Sequence, residues 1–377
     1  MLSWPMFLGS PRNDSVSPVR AACSGRVLWS TPLPAREAHA LVVTAAGHCL
    51  VASEVALTAI AEGRIVWTRP GRVGQPVARK DGSVLVGLPR RDGLVALDQM
   101  TGAELFHRAD FPAGLSRPTL LPDGHIQVIT VRDEESHVTL LDPDGTPRWS
   151  RVVRGAPYIT VADDGRLVVI DGGLLRAFDA EGNTAWLAGR GGFIHATEDV
   201  PAEGTEDRLC TPIALGDGRI LAGATIPSSA DLLIFDPTSR TVVPWPNRGD
   251  VALPSDLPIA VMRLPGQEPA LVLALHAYVM LVDHAGNHVF RRGLPRPAIA
   301  ILVDAEGTIL VAYTTSADYW DKYHDVDDLS KQCGVRAYDA SGRLLFEWQA
   351  PGPVSALALG PSGEVLVVAA NRLWALG

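Results

Sequence analysis

Cysteine is scarce in this 377-residue sequence, and its four cysteines do not form a familiar framework. No Cys-x-x-Cys spacing and no adjacent pair occurs among Cys23, Cys49, Cys210 and Cys333. Zinc knuckles and disulfide-stapled domains require closely spaced or paired cysteines. The sequence therefore argues against both classes and predicts buried free thiols.

Long apolar runs and an excess of basic residues are also absent. The longest uninterrupted apolar stretches, such as residues 365–370, are too short to cross a bilayer. Residues 1–25 are interrupted by prolines and polar residues, unlike a secretory signal. The formal net charge of -9 disfavours nucleic acid as a partner, because phosphate backbones attract clustered lysines and arginines. We therefore expect a cytoplasmic protein with no membrane span and no nucleic-acid partner.

The sequence does contain a repeat, because residues 74–107 return with variations along the chain. Each copy has an apolar strand, an Asp-Gly-type turn, a strand rich in β-branched residues, a third strand ending in an Asp-containing turn, and a fourth strand. Eight units occur at a spacing of roughly 35 to 55 residues, which suits a four-stranded propeller blade. The fourth strands end in an aromatic residue at Trp67, Phe106, Trp149, Trp186, Trp245, Phe290 and Trp348.

Prolines recur where the first strand of a unit begins. They are Pro76, Pro118, Pro157, Pro212, Pro258, Pro297 and Pro353. Proline cannot donate to a strand ladder, so it suits a strand start or the free edge that an innermost strand turns towards a central channel. The last unit supplies only three strands, whereas residues 25–30 form an unpaired strand ahead of the first unit. We therefore predict an all-β, eight-bladed β-propeller of four-stranded antiparallel blades over residues 25–377, closed by residues 25–30, with residues 1–24 as an extension packed on it.

The segment ALDQMTGAELF, residues 96–106, resembles the A-h-D-x-x-T-G-x-x-x-W pattern of the pyrroloquinoline-quinone-like (PQQ-like) β-propeller repeat family, where h is apolar and Phe106 replaces the usual Trp. Residues 4–18 are similar to the opening W-x-x-F-G-G segment of that family. The family includes quinoprotein alcohol dehydrogenases and the outer-membrane-assembly lipoprotein propeller. The resemblance implies a propeller in which each fourth-strand aromatic residue stacks on a turn of the next blade.

Quinone chemistry needs more than the repeat. In the dehydrogenases of this family, the resemblance implies an adjacent Cys-Cys pair, a calcium ion held by Glu, Asn and Asp, and a catalytic Asp. This sequence has no Cys-Cys pair and is much shorter than those enzymes. We therefore expect no cofactor, and in particular no pyrroloquinoline quinone and no quinone-dependent dehydrogenase activity.

Two insertions interrupt the repeats and are candidate functional segments. The larger, residues 314–334, is acidic and aromatic, and Tyr319, Trp320 and Tyr323 are candidate anchors for a protein partner. Asp325, Asp327 and Asp328 are candidate calcium ligands, because calcium takes oxygen ligands, although their spacing differs from the EF-hand loop. The second insertion, residues 189–210, is rich in glycine and acidic residues and is interpreted as a flexible linker.

The channel mouth is a third candidate site, because the starts of the innermost strands surround it. The residues at these positions are His39, Gln75, Arg117, Tyr158, Arg208, Asp256 and Arg296. Arg117, Tyr158, Arg208 and Arg296 would bind a carboxylate or phosphate, because guanidinium groups match those anions. His39, Asp256 and His324 would then transfer protons. The alternative is that these side chains only hydrate a water-filled channel.

Two functions follow from these patterns. The first is a soluble scaffold that binds a protein or peptide partner through loops on one face of the propeller. The alternative is a channel-mouth lyase, isomerase or cyclase that acts on a small anionic molecule.

Overall fold

The computed structural model describes residues 15–34, 38–88, 93–109, 116–132, 135–154, 158–194, 208–226, 229–245, 258–264, 266–275, 277–314 and 333–377. Strands are the regular structure in these ranges, which contain no α-helix. The strands form eight separate antiparallel sheets, each built from consecutive segments of chain. The predicted eight-bladed β-propeller is therefore confirmed.

Each blade uses its strands in chain order, from the channel outwards. Blade 1 contains β2 (Ala38–Val43), β3 (Cys49–Ser53), β4 (Ala56–Ala61) and β5 (Arg64–Pro70), and blade 2 contains β6 (Val77–Ala78), β7 (Ser83–Leu88), β8 (Gly93–Asp98) and β9 (Glu104–Arg108). Blade 3 contains β10 (Ser116–Leu120), β11 (Ile126–Arg132), β12 (Glu135–Leu141) and β13 (Pro147–Val153). Blade 4 contains β14 (Ile159–Val161), β15 (Leu167–Asp171), β16 (Leu174–Phe178), β17 (Thr184–Gly189) and β18 (Gly192–Ile194).

Blades 5 to 7 follow the same plan, and blade 8 takes its outer strand from the beginning of the chain. Blade 5 contains β19 (Arg208–Ala214), β20 (Ile220–Ile226), β21 (Ser229–Asp236) and β22 (Thr241–Pro244), and blade 6 contains β23 (Ile259–Met262), β24 (Ala270–Leu275), β25 (Tyr278–Val282) and β26 (His288–Gly293). Blade 7 contains β27 (Ala298–Val303), β28 (Ile309–Tyr313), β29 (Gly334–Tyr338) and β30 (Leu344–Gln349). Blade 8 contains β31 (Val354–Leu359), β32 (Val365–Ala369) and β33 (Arg372–Leu376), together with β1 (Val27–Pro32).

The ring is closed by β1, as predicted, because this strand pairs antiparallel with β33. The amide of Gly377 donates to the Arg26 carbonyl, and the amides of Ser24 and Arg26 donate back to the Gly377 carbonyl. Gly25 adopts a left-handed φ of 67°, as the glycines of the covalent turns do. The closure therefore copies a normal third-to-fourth-strand turn without a covalent link.

Connections divide between two faces because neighbouring strands run in opposite directions. We call the face with the first-to-second and third-to-fourth turns the turn face. The insertion face carries the second-to-third connections and the crossings between blades. On the turn face, Asp98 shows the predicted role of the repeated aspartate, since its carboxylate accepts the amide of Thr101 at 2.8 Å. Gly102 completes that turn with a left-handed φ of 71°, and its amide donates to the Asp98 carbonyl.

Neighbouring blades are joined by the fourth-strand aromatic residues, as the family resemblance implied. The indole nitrogen of Trp67 in blade 1 donates to the Gln99 carbonyl of blade 2 at 3.0 Å. Its ring covers Gly102, where a Cβ atom would lie 2.8 Å from the ring. A side chain at this position would displace the tryptophan, so the glycine permits the contact as well as the turn.

Blade 7 differs from the predicted pattern. The sequence suggested Trp348 as its terminal aromatic residue, but Phe346 covers the turn glycine of blade 8, Gly25. Trp348 lies two residues further along β30, away from the turn face, and packs 5.6 Å from Trp374. Phe346 occupies the docking position because it pairs with Ala337, two residues before the turn aspartate Asp339.

An arginine two residues after the aromatic residue adds a second inter-blade contact. Arg151 donates to the Gly182 carbonyl of blade 4 at 2.8 Å, and Arg292 donates to the Gly342 carbonyl of blade 7 at 2.7 Å. The same aromatic-x-Arg spacing occurs at Trp67 and Phe106. This repeated pattern was not among the sequence-based predictions.

Residues 15–24 run across the turn face of blades 7 and 8. Ser17 donates its amide to the Val303 carbonyl at 2.8 Å, and the Val303 amide donates to the Ser15 carbonyl at 2.9 Å. Further on, the Ala21 amide donates to the buried carboxylate of Asp304 at 2.8 Å. This segment therefore adds a short parallel bridge to the channel-facing edge of β27.

Three of the four cysteines have described side chains, and all three are free thiols. Cys49 and Cys333 are buried, and Cys23 is partly buried. Burial raises the pKa of the Cys49 thiol to about 12, so this residue stays protonated and packs as a small apolar side chain. The expectation of buried thiols is confirmed for Cys49 and Cys333.

Candidate functional site

Both insertions depart from and return to the insertion face. The larger begins after Tyr313, the last residue of β28, and ends before Gly334, the first residue of β29. The smaller begins after β17 and ends at β19. The candidate residues Tyr319, Trp320, Tyr323, His324, Asp325, Asp327 and Asp328, together with Asp256, lie outside the described residues, and their roles stay predictions.

The larger insertion starts at a hydrogen-bonded cluster that joins the buried Tyr313 to the partly buried Arg336 and the exposed Glu347. The Tyr313 hydroxyl donates to the Glu347 carboxylate at 3.0 Å, and Arg336 donates to the same oxygen at 3.0 and 2.9 Å. Arg336 also reaches blade 6, where it donates to the Gly293 carbonyl at 2.9 Å. Burial, followed by the contact with Glu347, raises the pKa of the Tyr313 phenol above its usual value. The phenol is therefore a permanent donor.

The two strand ends at this insertion allow little variation. A side chain on Gly334 would overlap the Trp348 carbonyl oxygen and the Tyr313 hydroxyl. Thr314 is buried, and its hydroxyl accepts the amide of Val354 from blade 8 at 3.1 Å. The insertion is thus attached at both ends to residues that also contact the neighbouring blades.

This cluster was missed by the sequence analysis, although a signal was present. Arg336 lies three residues before the turn aspartate, at a position that is apolar in blade 2, where Val95 occupies it. The same substitution occurs in blade 4, where Arg176 pairs with the buried Asp171 at 2.9 Å. An arginine inside an otherwise apolar third strand indicates a paired carboxylate nearby.

The beginning of the smaller insertion is a β-hairpin. Gly189 pairs with Gly192 across a two-residue turn, and β18 becomes a fifth strand of blade 4. The interpretation of this part as a flexible linker is therefore wrong for residues 189–194. Phe193 on β18 makes an edge-to-face contact with Trp186, with ring centroids 5.5 Å apart. This contact holds the extra strand on the blade.

A cleft of about 330 Å³ lies at the insertion-face end of blade 4. Its lining residues are Gly173, Leu174, Gly189, Arg190, Gly191, Gly192, Phe193, Ile194 and Leu209. Leu209 belongs to the first strand of blade 5, so the cleft spans the boundary between two blades. Seven of these nine residues lie in the second insertion, residues 189–210, although the sequence singled out none of them as a site residue.

The channel-mouth candidates with described side chains lie beside the starts of the innermost strands. His39, Gln75 and Arg296 are partly buried, and Tyr158 is 39% exposed. Within the described ranges, the Nδ1 atom of His39 and the Oε1 atom of Gln75 are buried and have no hydrogen-bond partner. Arg117 and Arg208 are described by their backbone alone, in β10 and β19. Anion binding by this set stays a prediction.

The described part of the chain shows neither a metal cluster nor a membrane-spanning helix. Its residues contain no group of three or more His, Cys, Asp and Glu side chains arranged to hold a metal ion. Across the same ranges, no helix has the length and apolar character needed to span a bilayer. The calcium site proposed for Asp325, Asp327 and Asp328 is not tested by these residues. The expectation that no cofactor is bound likewise stays a prediction.

The docked aromatic residues, glycine turns and noncovalent closure define a closed eight-bladed propeller of the PQQ-like repeat class. A family model described as outer membrane protein assembly factor BamB matches residues 51–248, which is more than half of the chain. The protein therefore belongs to this family. Among curated protein sequences, none matches the chain.

Solved structures show the same fold at low sequence identity. BamB from Moraxella catarrhalis is 16% identical, with a TM-score of 0.58 over 93% of this chain and 98% of that chain. A quinohemoprotein alcohol dehydrogenase from Pseudomonas putida HK5 is 11% identical, with a TM-score of 0.64 over 99% and 80%. The corresponding enzyme from Comamonas testosteroni is 14% identical, with a TM-score of 0.60 over 99% and 80%. These similarities concern the fold alone.

Proposed function

We propose that the protein is an interaction scaffold whose insertion face binds a protein or peptide partner. The observation that carries this proposal is the shared origin of both insertions on one face. Apart from residues 15–24, the described part of the opposite face is built from short turns that repeat from blade to blade, such as residues 98–102 and 179–183. A partner that recognises irregular features would therefore meet them on the insertion face.

The rigid attachment of the larger insertion also supports a binding role. Tyr313, Arg336 and Glu347 hold its two ends through charge-assisted hydrogen bonds, which are stronger than neutral ones. Fixed ends reduce the number of conformations that a loop loses on binding, and so lower the entropic cost. Tyr319, Trp320 and Tyr323 are the proposed anchors, because aromatic residues dominate interface energetics.

Membership of a family described as an outer membrane protein assembly factor is compatible with a scaffold. No observation on the described residues favours the channel-mouth enzyme, so we propose no reaction. The cytoplasmic location remains part of this proposal. Cell fractionation tests it: recovery with the membrane fraction would contradict this location without affecting the scaffold assignment.

The direct test replaces Tyr319, Trp320 and Tyr323 together with Ala. Capture of the tagged protein from its native lysate identifies a partner, and calorimetry with the purified partner measures the affinity. We expect the triple variant to bind at least about tenfold more weakly, because each buried aromatic anchor contributes on the order of 1 kcal/mol or more. The melting temperature should be unchanged.

The matched control replaces three exposed side chains on outer strands, Val66, Val152 and Val243, with Ala. This control changes the same number of side chains, at exposed positions in other parts of the molecule. Equal affinities of the triple aromatic variant and the unmodified protein would overturn the assignment of the anchors.

A further inference from the structure

Residues 15–24, which we call the strap, cross the turn face from the channel edge of blade 7 to the chain end of blade 8. Near the channel, the amide of Ser17 donates to the Val303 carbonyl on β27 at 2.8 Å. Near the rim, the amide of Ser24 donates to the Gly377 carbonyl at 3.1 Å, and the chain then continues into β1. One continuous segment therefore contacts the innermost strand of blade 7 and the last residue of blade 8.

The middle of the strap is held by an aspartate that departs from the repeat. Asp304 is 3% exposed, and its Oδ2 atom accepts the amide of Ala21 at 2.8 Å. Its Oδ1 atom caps its own turn by accepting the amides of Glu306 and Thr308 at 2.9 and 2.7 Å. In the six other blades whose equivalent turn bond is described, the residue at this position is not acidic: Thr44, Arg79, Leu121, Ala162, Leu215 and Gly360. Within this set, a carboxylate occurs only where the strap needs an acceptor.

Blade 8 receives the strap at its first-to-second turn. The amide of Ala22 donates to the Gly363 carbonyl at 2.8 Å. A Cβ atom on Gly363 would overlap the carbonyl oxygen of Arg20, so the strap and the turn are in direct backbone contact. Arg20 also forms an ion pair with Glu306 at 3.1 Å, but both side chains are more than half exposed and this pair contributes little. The strap is therefore held mainly by backbone bonds and by the buried carboxylate.

The strap lies across the place where the ring is closed without a covalent link. Residues 33–37 connect β1 to blade 1, whereas residues 350–353 connect the other three strands of blade 8 to blade 7. We call the boundary between β1 and β33 the seam, because separation of these strands would open the ring there. The strap is continuous with β1 on one side of the seam, but its hydrogen bonds go to blades 7 and 8 on the other side. It therefore bridges the seam.

We propose that the strap is a latch that keeps the propeller closed, and that the ring opens at the seam only when the strap and β1 leave together. If the β1–β33 ladder breaks alone, the strap still holds β1 beside its partner, so the two strands pair again. If the strap is also released, the whole segment through Pro32 is free and the edge of β33 is exposed. The latch acts at the turn face and the seam, so it is independent of the binding role proposed for the insertion face.

The first test, Asp304→Asn, removes a latch contact and keeps the turn. The Oδ1 atom of the asparagine still accepts the amides of its own turn, whereas its Nδ2 group cannot accept the amide of Ala21. Asp236→Asn is the matched control, because Asp236 caps a turn of blade 5 by accepting the amides of Thr238 and Ser239 at 2.8 and 3.2 Å. Both variants should melt within a few degrees of the unmodified protein.

A second pair of variants breaks the latch at the channel edge. The amide of Val303 donates to the Ser15 carbonyl at 2.9 Å, and Val303→Pro removes this donor. Val43→Pro is the matched control, because β2 ends at Val43 as β27 ends at Val303, and blade 1 lies outside the path of the strap. Proline is tolerated on the free edge of a strand. Any strain from the proline ring is common to both variants, so their difference reports the bond to the strap.

Hydrogen–deuterium exchange of the full-length protein, followed by mass spectrometry, measures opening at the seam. Peptides that cover β33 report the seam, and peptides that cover β15 in blade 4, on the opposite side of the ring, report general stability. We expect exchange at β33 to be at least about tenfold faster in Asp304→Asn and about fivefold faster in Val303→Pro. Exchange at β15 should change less than about twofold, and neither control variant should change the ratio of the two rates.

Two results would overturn the latch. One is equal exchange at β33 in Asp304→Asn and in Asp236→Asn, which would show that the strap covers the turn face without holding the seam. The other is equal acceleration at β33 and β15 in Asp304→Asn, which would show a general loss of stability instead of release at the seam. Val303→Pro repeats the comparison at a different contact of the strap, so a folding defect in one variant leaves the other to decide.

Discussion

The indole nitrogen of Trp149 lies 3.1 Å from the carbonyl oxygen of Ala180, across the boundary between blades 3 and 4. The ring also covers Gly182, which a Cβ atom would bring within 2.6 Å of it. Trp149 therefore joins these two blades through one hydrogen bond and one ring-to-backbone contact. Since Trp149 is 8% exposed, both contacts are shielded from water.

Two substitutions of Trp149 separate the contribution of its hydrogen bond from that of its ring packing. Trp149→Phe removes the hydrogen bond and should lower the free energy of unfolding by about 1 kcal/mol beyond its packing loss. Trp149→Ala also empties the docking site and should cost about 3 to 5 kcal/mol. Urea denaturation measures both, with Val152→Ala on the same strand as an exposed control. Equal losses of unfolding free energy in Trp149→Phe and Trp149→Ala would contradict this division into a hydrogen bond and ring packing.

Arg240 occupies the turn position that glycine fills in most blades, and its φ is 54°. A left-handed conformation is unfavourable for a residue with a Cβ atom. Arg240→Gly should therefore raise the free energy of unfolding by roughly 0.5 to 1 kcal/mol. Arg64→Gly in β5, which has no left-handed φ, should lower it. A loss of stability in both variants would show that Arg240 is not strained.

Gln127 is fully buried between blades 3 and 4, and its amide has no hydrogen-bond partner in the described part of the chain. A buried polar group without a partner costs free energy. Gln127→Leu should therefore stabilise the protein by about 1 kcal/mol. Thr139→Val is the matched control and should destabilise it, because the Thr139 hydroxyl is bonded to Ser150 at 2.9 Å. A loss of stability in Gln127→Leu would indicate a bound water.

Asp339 should make stability depend on pH in acid. The Ser341 hydroxyl, together with the amide and side chain of Arg343, holds the pKa of Asp339 at about 2. Folding therefore favours the ionised form of Asp339. The contribution of this carboxylate to the free energy of unfolding is complete above the unfolded pKa of about 3.9 and is lost as pH falls towards 2. The stability difference between the protein and Asp339→Ala should shrink over this window in denaturation experiments. An NMR titration of the folded protein that gives Asp339 a midpoint near pH 4 would contradict the lowered pKa.

The repeat allowed the fold to be predicted because every blade depends on the same local chemistry. In most blades the aspartate and glycine of the turn fix where the third strand ends, and the aromatic residue fixes the position of the neighbouring blade. The spacing between the turn aspartate and the aromatic residue identifies the correct docking residue in blade 7. Phe346 follows Asp339 by seven positions, as Trp149 follows Asp142. Trp348 is the last aromatic residue of its strand but lacks this spacing from Asp339.

The candidate site was much less predictable. The sequence located both insertions, but glycine content gave no indication that residues 192–194 would pair with β17. The strand β18 is stabilised because Phe193 packs against the Trp186 ring, and this contact depends on tertiary packing. The Tyr313 cluster likewise combines three strands, and only its arginine is unusual within the repeat.

The pairing of β1 with β33 has a consequence for synthesis. These strands are the first and last of the propeller, so blade 8 cannot be completed until all of residues 27–376 have left the ribosome. Until then β1 has no ladder partner, and β33 must find it over the largest sequence separation in the fold, which slows the final step. During that interval the growing array has free strand edges exposed to other chains. Closure is therefore the stage at which nascent molecules are most vulnerable to aggregation.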